Sequence, residues 1–295
     1  MVRIMHKSAT MATVATLLVS CPDQPGIVHR VTDYILAEGG NILSIQQCVD
    51  ELDGYFFMRA VFTTERCSVP LDTLEAHFCS AVGDVFRMQA NIYFEQDTIR
   101  LGVFVTKATH CLFDLLQRCL SKEWNAEISV IISNHEHIRP IAERFDIPYH
   151  YLPINKQNKS DQEATQLDLV RRYRCDYLIL ARYMQILSDD FIQQAPVPII
   201  NIHHSFLPAF KGANPYKQAY QKGVKILGAT SHYVTADLDE GPIIAQDVRR
   251  VGNNESLQDL VRKGKDVEKI VLARAVDLVM QHKVVEYKGR TVILE

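Results

Sequence analysis

Apolar positions in the early part of the chain change period several times. Residues 13–20 (TVATLLVS) form an unbroken β-branched and aliphatic run, the pattern of a buried strand. After the turn Pro22-Asp23-Gln24-Pro25-Gly26, Ile27, Val31, Tyr34 and Ile35 recur at helical spacing, and Gly39-Gly40 stops the predicted helix. Residues 41–51 and 55–63 read as two strands joined by Asp53-Gly54, a hairpin signal. Pro70 opens a second predicted helix with Leu71, Leu74 and Phe78 inward, and 85–94 (VFRMQANIYF) is a last strand. The order β-α-β-β-α-β is the ferredoxin-like plan. That plan implies no function by itself.

Residues 95–100 (EQDTIR) are polar and mark a boundary, which puts one domain at 10–94 and another at 98–295. Beyond it, short apolar strands at 99–105, 127–133, 148–152 and 176–181 alternate with helices at 110–121, 136–145 and 160–173. Such alternation predicts a parallel sheet with helices on both faces. Further strands are expected around 199–203, 226–234 and 241–251. A long helix follows over 255–281, with Val267, Ile270, Val271, Ala275 and Leu278 on one face, then a strand pair around Lys288-Gly289. The predicted fold class is therefore α/β, a ferredoxin-like domain followed by a Rossmann-like, mostly parallel sheet. Ligands of such sheets sit beyond the carboxyl ends of the strands.

Composition narrows the function classes. With 47% apolar and 23% charged residues, the chain is typical of a globular protein. A net charge of −3 without a basic run argues against a nucleic-acid partner. The seven cysteines are odd in number and scattered, with no C-x-x-C pair, as expected of reduced thiols in the cytoplasm rather than a disulfide frame or zinc site. Residues 1–20 carry Arg3 and Lys7 but no acid, and superficially resemble an export signal. Thr10, Thr13 and Thr16 break that apolar part, which fits equally well as a first strand. No run of about 20 apolar residues exists, so no membrane span is expected.

The candidate chemistry lies in residues 199–242. Asn201 and His203 alternate on a strand and so point to one side, roughly 6–7 Å apart. A carboxamide and an imidazole aimed together can hold a carbonyl oxygen as it becomes an oxyanion. Asp239 sits in a loop that Gly241-Pro242 makes tight, and its carboxylate can orient the imidazole or take a proton from water. An isolated N-x-H is weak evidence. Here it precedes Ser205-Phe206-Leu207-Pro208 with Gly212 beyond, then Ser231-His232-Tyr233-Val234, then Asp239 before Gly241-Pro242-Ile243-Ile244. This ordered set resembles the folate-dependent formyltransferase family. The Pro22–Val28 turn and Gly39-Gly40-Asn41-Ile42 likewise resemble an ACT domain, a module that often binds small regulators.

The resemblance carries further expectations. It implies Asn201, His203 and Asp239 as catalytic residues and 10-formyltetrahydrofolate as the small-molecule substrate, with no tightly bound cofactor. It makes Arg182, Tyr183, Met184 and Ile186 one wall of the pterin pocket, and Val234, Thr235 and Leu238 another. From the residues alone, Met184 and Ile186 read as core. Lys211 and Arg182 are candidates for the folate's glutamate tail. Family members that formylate a phosphorylated amine are expected to carry a Gly-rich loop after the first strand, whereas Thr106–Leu112 has no Gly. Water is then the expected acceptor, giving formate and tetrahydrofolate. The alternatives are transfer to an amine such as glycinamide ribonucleotide, or a non-catalytic folate or amino-acid sensor.

His110 reads either as a residue backing the site or as the start of an amphipathic helix. His135 and His137 have poor ligand spacing, and no metal is expected. His204 stands where transferase relatives have Pro, and either positions water, closes the acceptor side or is only a neighbour. In the ACT-like domain, Gly26 and Asn41 are candidate contacts for an amino-acid effector, or else a turn and a strand start. Edge pairing of such domains makes a homodimer or homotetramer the expected state.

Overall fold

The computed structural model describes residues 14–95, 98–208 and 215–295. The acid-poor chain start, and Lys211 and Gly212 after the Leu-Pro pair, lie outside the described residues. The chain forms two compact units. The first runs to Asp97 and takes in His282–Val285 and Val292–Glu295; the second is Thr98–Gln281 with Glu286–Thr291.

The first unit contains β1 (Val14–Pro22), α1 (Ile27–Ala37), β2 (Ile42–Asp50) and β3 (Tyr55–Thr63). α2 (Leu74–Phe78) continues through a π turn, Cys79–Gly83, into α3 (Asp84–Phe86), and β4 (Gln89–Phe94) closes the set. The sheet order is β2-β3-β1-β4, antiparallel throughout, which is the ferredoxin-like plan expected. Its core is made by β1, β3 and the helices, with Leu17, Val31, Met58, Ala60, Leu74 and Phe78 fully buried.

Two expected boundaries move here. The second helix starts at Leu74 rather than Pro70, because the Thr73 amide and hydroxyl both donate to the Pro70 carbonyl at 3.0 Å and close a turn first. Val85 and Phe86 belong to a helix rather than a strand, and Arg87, in the left-handed region at φ 54°, ends it.

In the second unit the elements are β5 (Ile99–Val105), α4 (His110–Leu120), β6 (Ala126–Ser133), α5 (Arg139–Arg144), β7 (Tyr149–Tyr151), α6 (Lys159–Arg172), β8 (Tyr177–Leu180), α7 (Asp189–Gln194) and β9 (Ile199–His203). They continue with α8 (Pro215–Lys222), β10 (Ile226–Tyr233), β11 (Ile243–Arg250) and α9 (Leu257–Met280). The seven-stranded order is β11-β10-β9-β8-β5-β6-β7. β7, β6, β5, β8 and β9 run parallel; β10 and β11 are antiparallel additions beside β9.

One side of this sheet packs α6 and α7 through Phe104, Leu178, Leu180, Val170 and Phe191. α9 packs on β9, β10 and β11 and against α4. The buried stripe of α9 contains Val267, Val271, Ala275 and Leu278 as expected, but Ile270 is 44% exposed and Glu268 is fully buried in the stripe. Lastly β12 (Val284–Tyr287) and β13 (Arg290–Ile293) pair around Lys288-Gly289. No described helix is long and apolar enough to cross a membrane.

Candidate active site

Register places the site residues before any side-chain contact is considered. β10 pairs antiparallel with β9 so that His232 lies opposite Asn201 and Thr230 opposite His203. All four side chains therefore share a face. The β10–β11 loop brings Asp239 onto that face. It turns through Asp239 itself, at φ 58°, and through Gly241, where an added Cβ would lie 1.8 Å from the Tyr233 carbonyl oxygen. Only glycine fits there, as the Gly-Pro pair in the sequence suggested.

Asp239 Oδ1 lies 3.1 Å from His203 Nδ1. The carboxylate accepts, so His203 Nδ1 carries the proton and its other nitrogen faces away. That Nε2 is buried and has no hydrogen-bond partner. The His203 hydrogen bond comes first in holding the Asp239 carboxyl below the usual carboxylate range, ahead of the opposing effect of burial. Asp239 is therefore ionised at neutral pH.

His232, which sequence reasoning noted only as part of a motif, fixes Asn201. Its Nδ1 lies 2.8 Å from the Tyr233 carbonyl and must donate, so its Nε2 is an acceptor. The Asn201 carboxamide nitrogen stands 3.2 Å from that Nε2 and donates to it. This orients the amide and leaves its second N–H for another acceptor. Burial comes first in lowering the His232 pKa, which keeps the ring neutral and its lone pair available. The only local signal was the period-2 alternation of β10; the pairing register had to be seen.

Of the two predicted walls, 182–188 is a surface loop after the carboxyl end of β8, whereas Val234 and Thr235 leave β10 beside Ile199, at the amino end of β9. Met184 and Ile186 are 56% and 61% exposed, so they are not the core that their residue types alone suggest. Leu238 is also exposed, while Val234 and Thr235 are half-buried. The 182–188 loop is pinned at both ends. The Met184 amide donates to Thr106 Oγ1 at 2.9 Å, and Ser188 donates twice to the buried Glu163 carboxylate. Tyr183 differs from its neighbours. Its ring is buried against Phe104 and its hydroxyl accepts from Gln166 Nε2, so only its backbone is available to a ligand.

Arg182 also turns inward, which removes it as a contact for a solvent-borne glutamate tail. Its Nε is 3.3 Å from Glu268 Oε2, an ionic contact without hydrogen-bond alignment. His110 Nε2 donates to the same oxygen at 2.7 Å, and Tyr216 donates its hydroxyl to Oε1. Burial pulls the Glu268 carboxyl upward, but His110, Arg182 and Tyr216 outweigh it and hold it below the ordinary range. His204 lies against this group, its ring 6.0 Å from that of Tyr216 and 5.2 Å from that of His203. Burial, then the Arg182 charge, push its pKa down to about 4. His110 thus both opens α4 and joins a buried network, and Glu268 and Tyr216 were not foreseen.

Among the described residues, His110, Cys111 and Glu268 come within 4.8 Å of one another with metal-ligand atoms. Glu268 is already engaged by two hydrogen-bond donors and the Arg182 charge, and burial pushes the Cys111 thiol well up, away from thiolate. This donor set suits a closed polar network better than a cation. Among the described residues, His135 and His137 form no such group with a third donor.

In the first unit, Gly26 starts α1 at φ +95° with open space around the missing Cβ. Asn41 is exposed beyond the other end of that helix, where its backbone pairs with Thr63. The 11 residues of α1 separate them by about 16 Å, so one amino acid cannot touch both within a chain.

Comparison with known proteins bears on the two domains. Residues 99–276 match the Formyl transferase family and residues 15–76 the ACT domain family. The fold and site therefore define a formyl transferase domain preceded by an ACT domain. The chain is 48% identical over 279 residues to the formyltetrahydrofolate deformylase of Synechocystis sp., covering 95% of this chain and 98% of that one. It is similar to the crystal structure of a formyltetrahydrofolate deformylase from Pseudomonas syringae pv. tomato, with a TM-score of 0.92 at 38% identity over 97% of this chain and 96% of the other. A glycinamide ribonucleotide transformylase from Symbiobacterium toebii matches 70% of this chain and 98% of its own, with a TM-score of 0.63 at 30% identity. The chain belongs to the formyltetrahydrofolate deformylase family of enzymes.

Proposed function

We propose that this chain hydrolyses 10-formyltetrahydrofolate to formate and tetrahydrofolate. The observation that carries the reading is the buried, unpartnered Nε2 of His203 beside an Asn201 amide whose orientation is fixed. The substrate's formyl oxygen lies between them. Water attacks the formyl carbon, and the developing oxyanion accepts from Asn201 Nδ2 and His203 Nε2. With Nδ1–H committed to Asp239, Nε2 donates only from the imidazolium form, paired with the Asp239 carboxylate. Asp239 accepts the proton of the attacking water, directly or through a second water. Collapse breaks the bond to N10, which takes up that proton through the same network, and formate leaves.

Met184, Ile186 and Leu238 flank the pterin in this reading. The amides of Arg182, Met184 and Val234 already donate within the protein and the Arg182 carbonyl accepts from the Thr106 amide, so Val234 offers its carbonyl while Tyr183 and Thr235 offer both backbone groups. The route is acid–base and electrostatic chemistry and calls for no tightly bound cofactor. We assign the ACT domain a small effector such as an amino acid near Gly26 or near Asn41, in a cytoplasmic homodimer or homotetramer.

The test is formate release from 10-formyltetrahydrofolate by purified protein with no acceptor added. Asn201→Ala and Asp239→Asn are each expected to fold normally and lose about 10²–10³ in turnover. No formate without an acceptor, but an N-formyl product when an amine is supplied, would move the protein to a transferase reading.

A further inference from the structure

The Glu268 network is a buried polar cluster that the proposed mechanism leaves unused. It joins the residues that follow three adjacent parallel strands: His110 after β5, Arg182 after β8 and His204 after β9. In an open α/β sheet this crevice beyond the carboxyl ends is where a ligand sits. Here the protein's own side chains fill it. Glu268 rises from α9 with no exposed surface, and Tyr216 reaches from α8 across Gly264 to meet it. The fit over Gly264 leaves no slack, because a Cβ there would lie 2.2 Å from the Tyr216 ring.

His203 and His204 divide the two functions. His203 faces Asp239, and its neighbour faces Tyr216 with its pKa down at about 4, hence neutral. An enzyme that hands a formyl group to a second substrate needs a subsite for that acceptor next to the oxyanion donors. A hydrolase needs room only for water.

Resting on the hydrolytic reading above, we propose that the Tyr216–Glu268–His110–Arg182 network is a specificity device: it occupies the acceptor subsite and restricts the nucleophile to water. Tyr216 is the wall, and Glu268, neutralised by Arg182 and bonded by His110, holds it in place. Removing the ring admits a small primary amine. Its nitrogen attacks the formyl carbon, the bond to N10 breaks, the amine loses one proton and N10 gains one.

The experiment incubates full-length protein with 10-formyltetrahydrofolate and increasing glycinamide, measuring formate and N-formylglycinamide in one sample. Unmodified protein is expected to give formate alone. Tyr216→Ala is expected to raise the N-formylglycinamide-to-formate ratio by about tenfold or more. Tyr216→Phe, which keeps the ring but loses the hydroxyl that Glu268 holds, is expected to hydrolyse and to exclude the amine less completely than the unmodified protein but better than Tyr216→Ala. Gly264→Ala displaces the ring by another route and decides the matter should Tyr216→Ala fail to fold.

Two results overturn the proposal while leaving hydrolysis intact. One is amine formylation by the unmodified protein at a rate matching hydrolysis. The other is folded Tyr216→Ala or Gly264→Ala that releases formate and never forms the amide. Absence of formate from the unmodified protein would instead remove the hydrolytic reading, and the specificity device with it.

Discussion

At the scale of single residues, the site depends on proton positions that register dictates. His232 donates from Nδ1 to a carbonyl, which makes its Nε2 an acceptor and fixes the Asn201 amide. It is a positioning residue, acting on chemistry only through Asn201. Replacing it by Phe removes the acceptor while keeping an aromatic ring in the strand. An oxyanion donor that drifts by about 1 Å can cost up to about 100-fold, so His232→Phe is expected to lower kcat toward that extent with KM for the folate little changed. His232→Gln, whose amide oxygen can accept from Asn201, is expected to recover part of the loss. Steady-state kinetics decide; a rise in KM at constant kcat would show that His232 shapes binding instead.

The convergence of Asn201, His203 and Asp239 on one face was legible because alternation and a Gly-Pro loop are local signals. His232 was less so, since its role exists only once β10 is paired with β9. Arg182 shows the reverse error. An arginine in a loop reads as exposed, yet its side chain turns to a carboxylate far along the chain.

The long helix α9 shows the same limit at the scale of an element. Its apolar period located the helix to within a residue or two at each end, and a Ser256–Asp259 capping box marks its start. The stripe itself was drawn one position wrong. Ile270 reads as core by residue type but faces outward, while charged Glu268 is buried because its partners come from the loop after β8, from α4 and from α8. Hydrophobic pattern cannot see a charge neutralised at long range.

This separates two neighbouring substitutions. Ile270→Ala is expected to change stability by no more than about 0.5 kcal/mol, whereas Leu272→Ala, at 1% exposure, is expected to cost about 2–5 kcal/mol. Denaturant unfolding measures both, and equal losses would place Ile270 in the core after all. The short helices α7 and α8 escaped sequence reading for a different reason. They are six and eight residues long, too short for a period to stand out from a loop.

At the scale of the whole molecule, buried neutral histidines link folding to pH. His204 and His232 lie in the second unit, and His282, stacked on Tyr93 with ring centroids 3.7 Å apart, lies in the first. Burial is the leading cause that lowers all three pKa values, to about 4 for His204 and His282. Between pH of about 6.5 and 4 the unfolded chain therefore binds protons that the folded chain refuses, and stability falls as pH falls. Each group contributes a slope of at most about 1.4 kcal/mol per pH unit. Asp239 and Glu268, whose carboxyls are held below the ordinary range, act in the same direction but lower, losing their contribution as pH drops below about 4. The melting temperature is expected to be level above neutrality, to decline from about pH 6.5 downward and to steepen near pH 4. His282→Asn should flatten the upper part of that decline. A melting temperature that stays level down to pH 4 would mean that these rings are protonated as readily in the folded protein as in the unfolded chain.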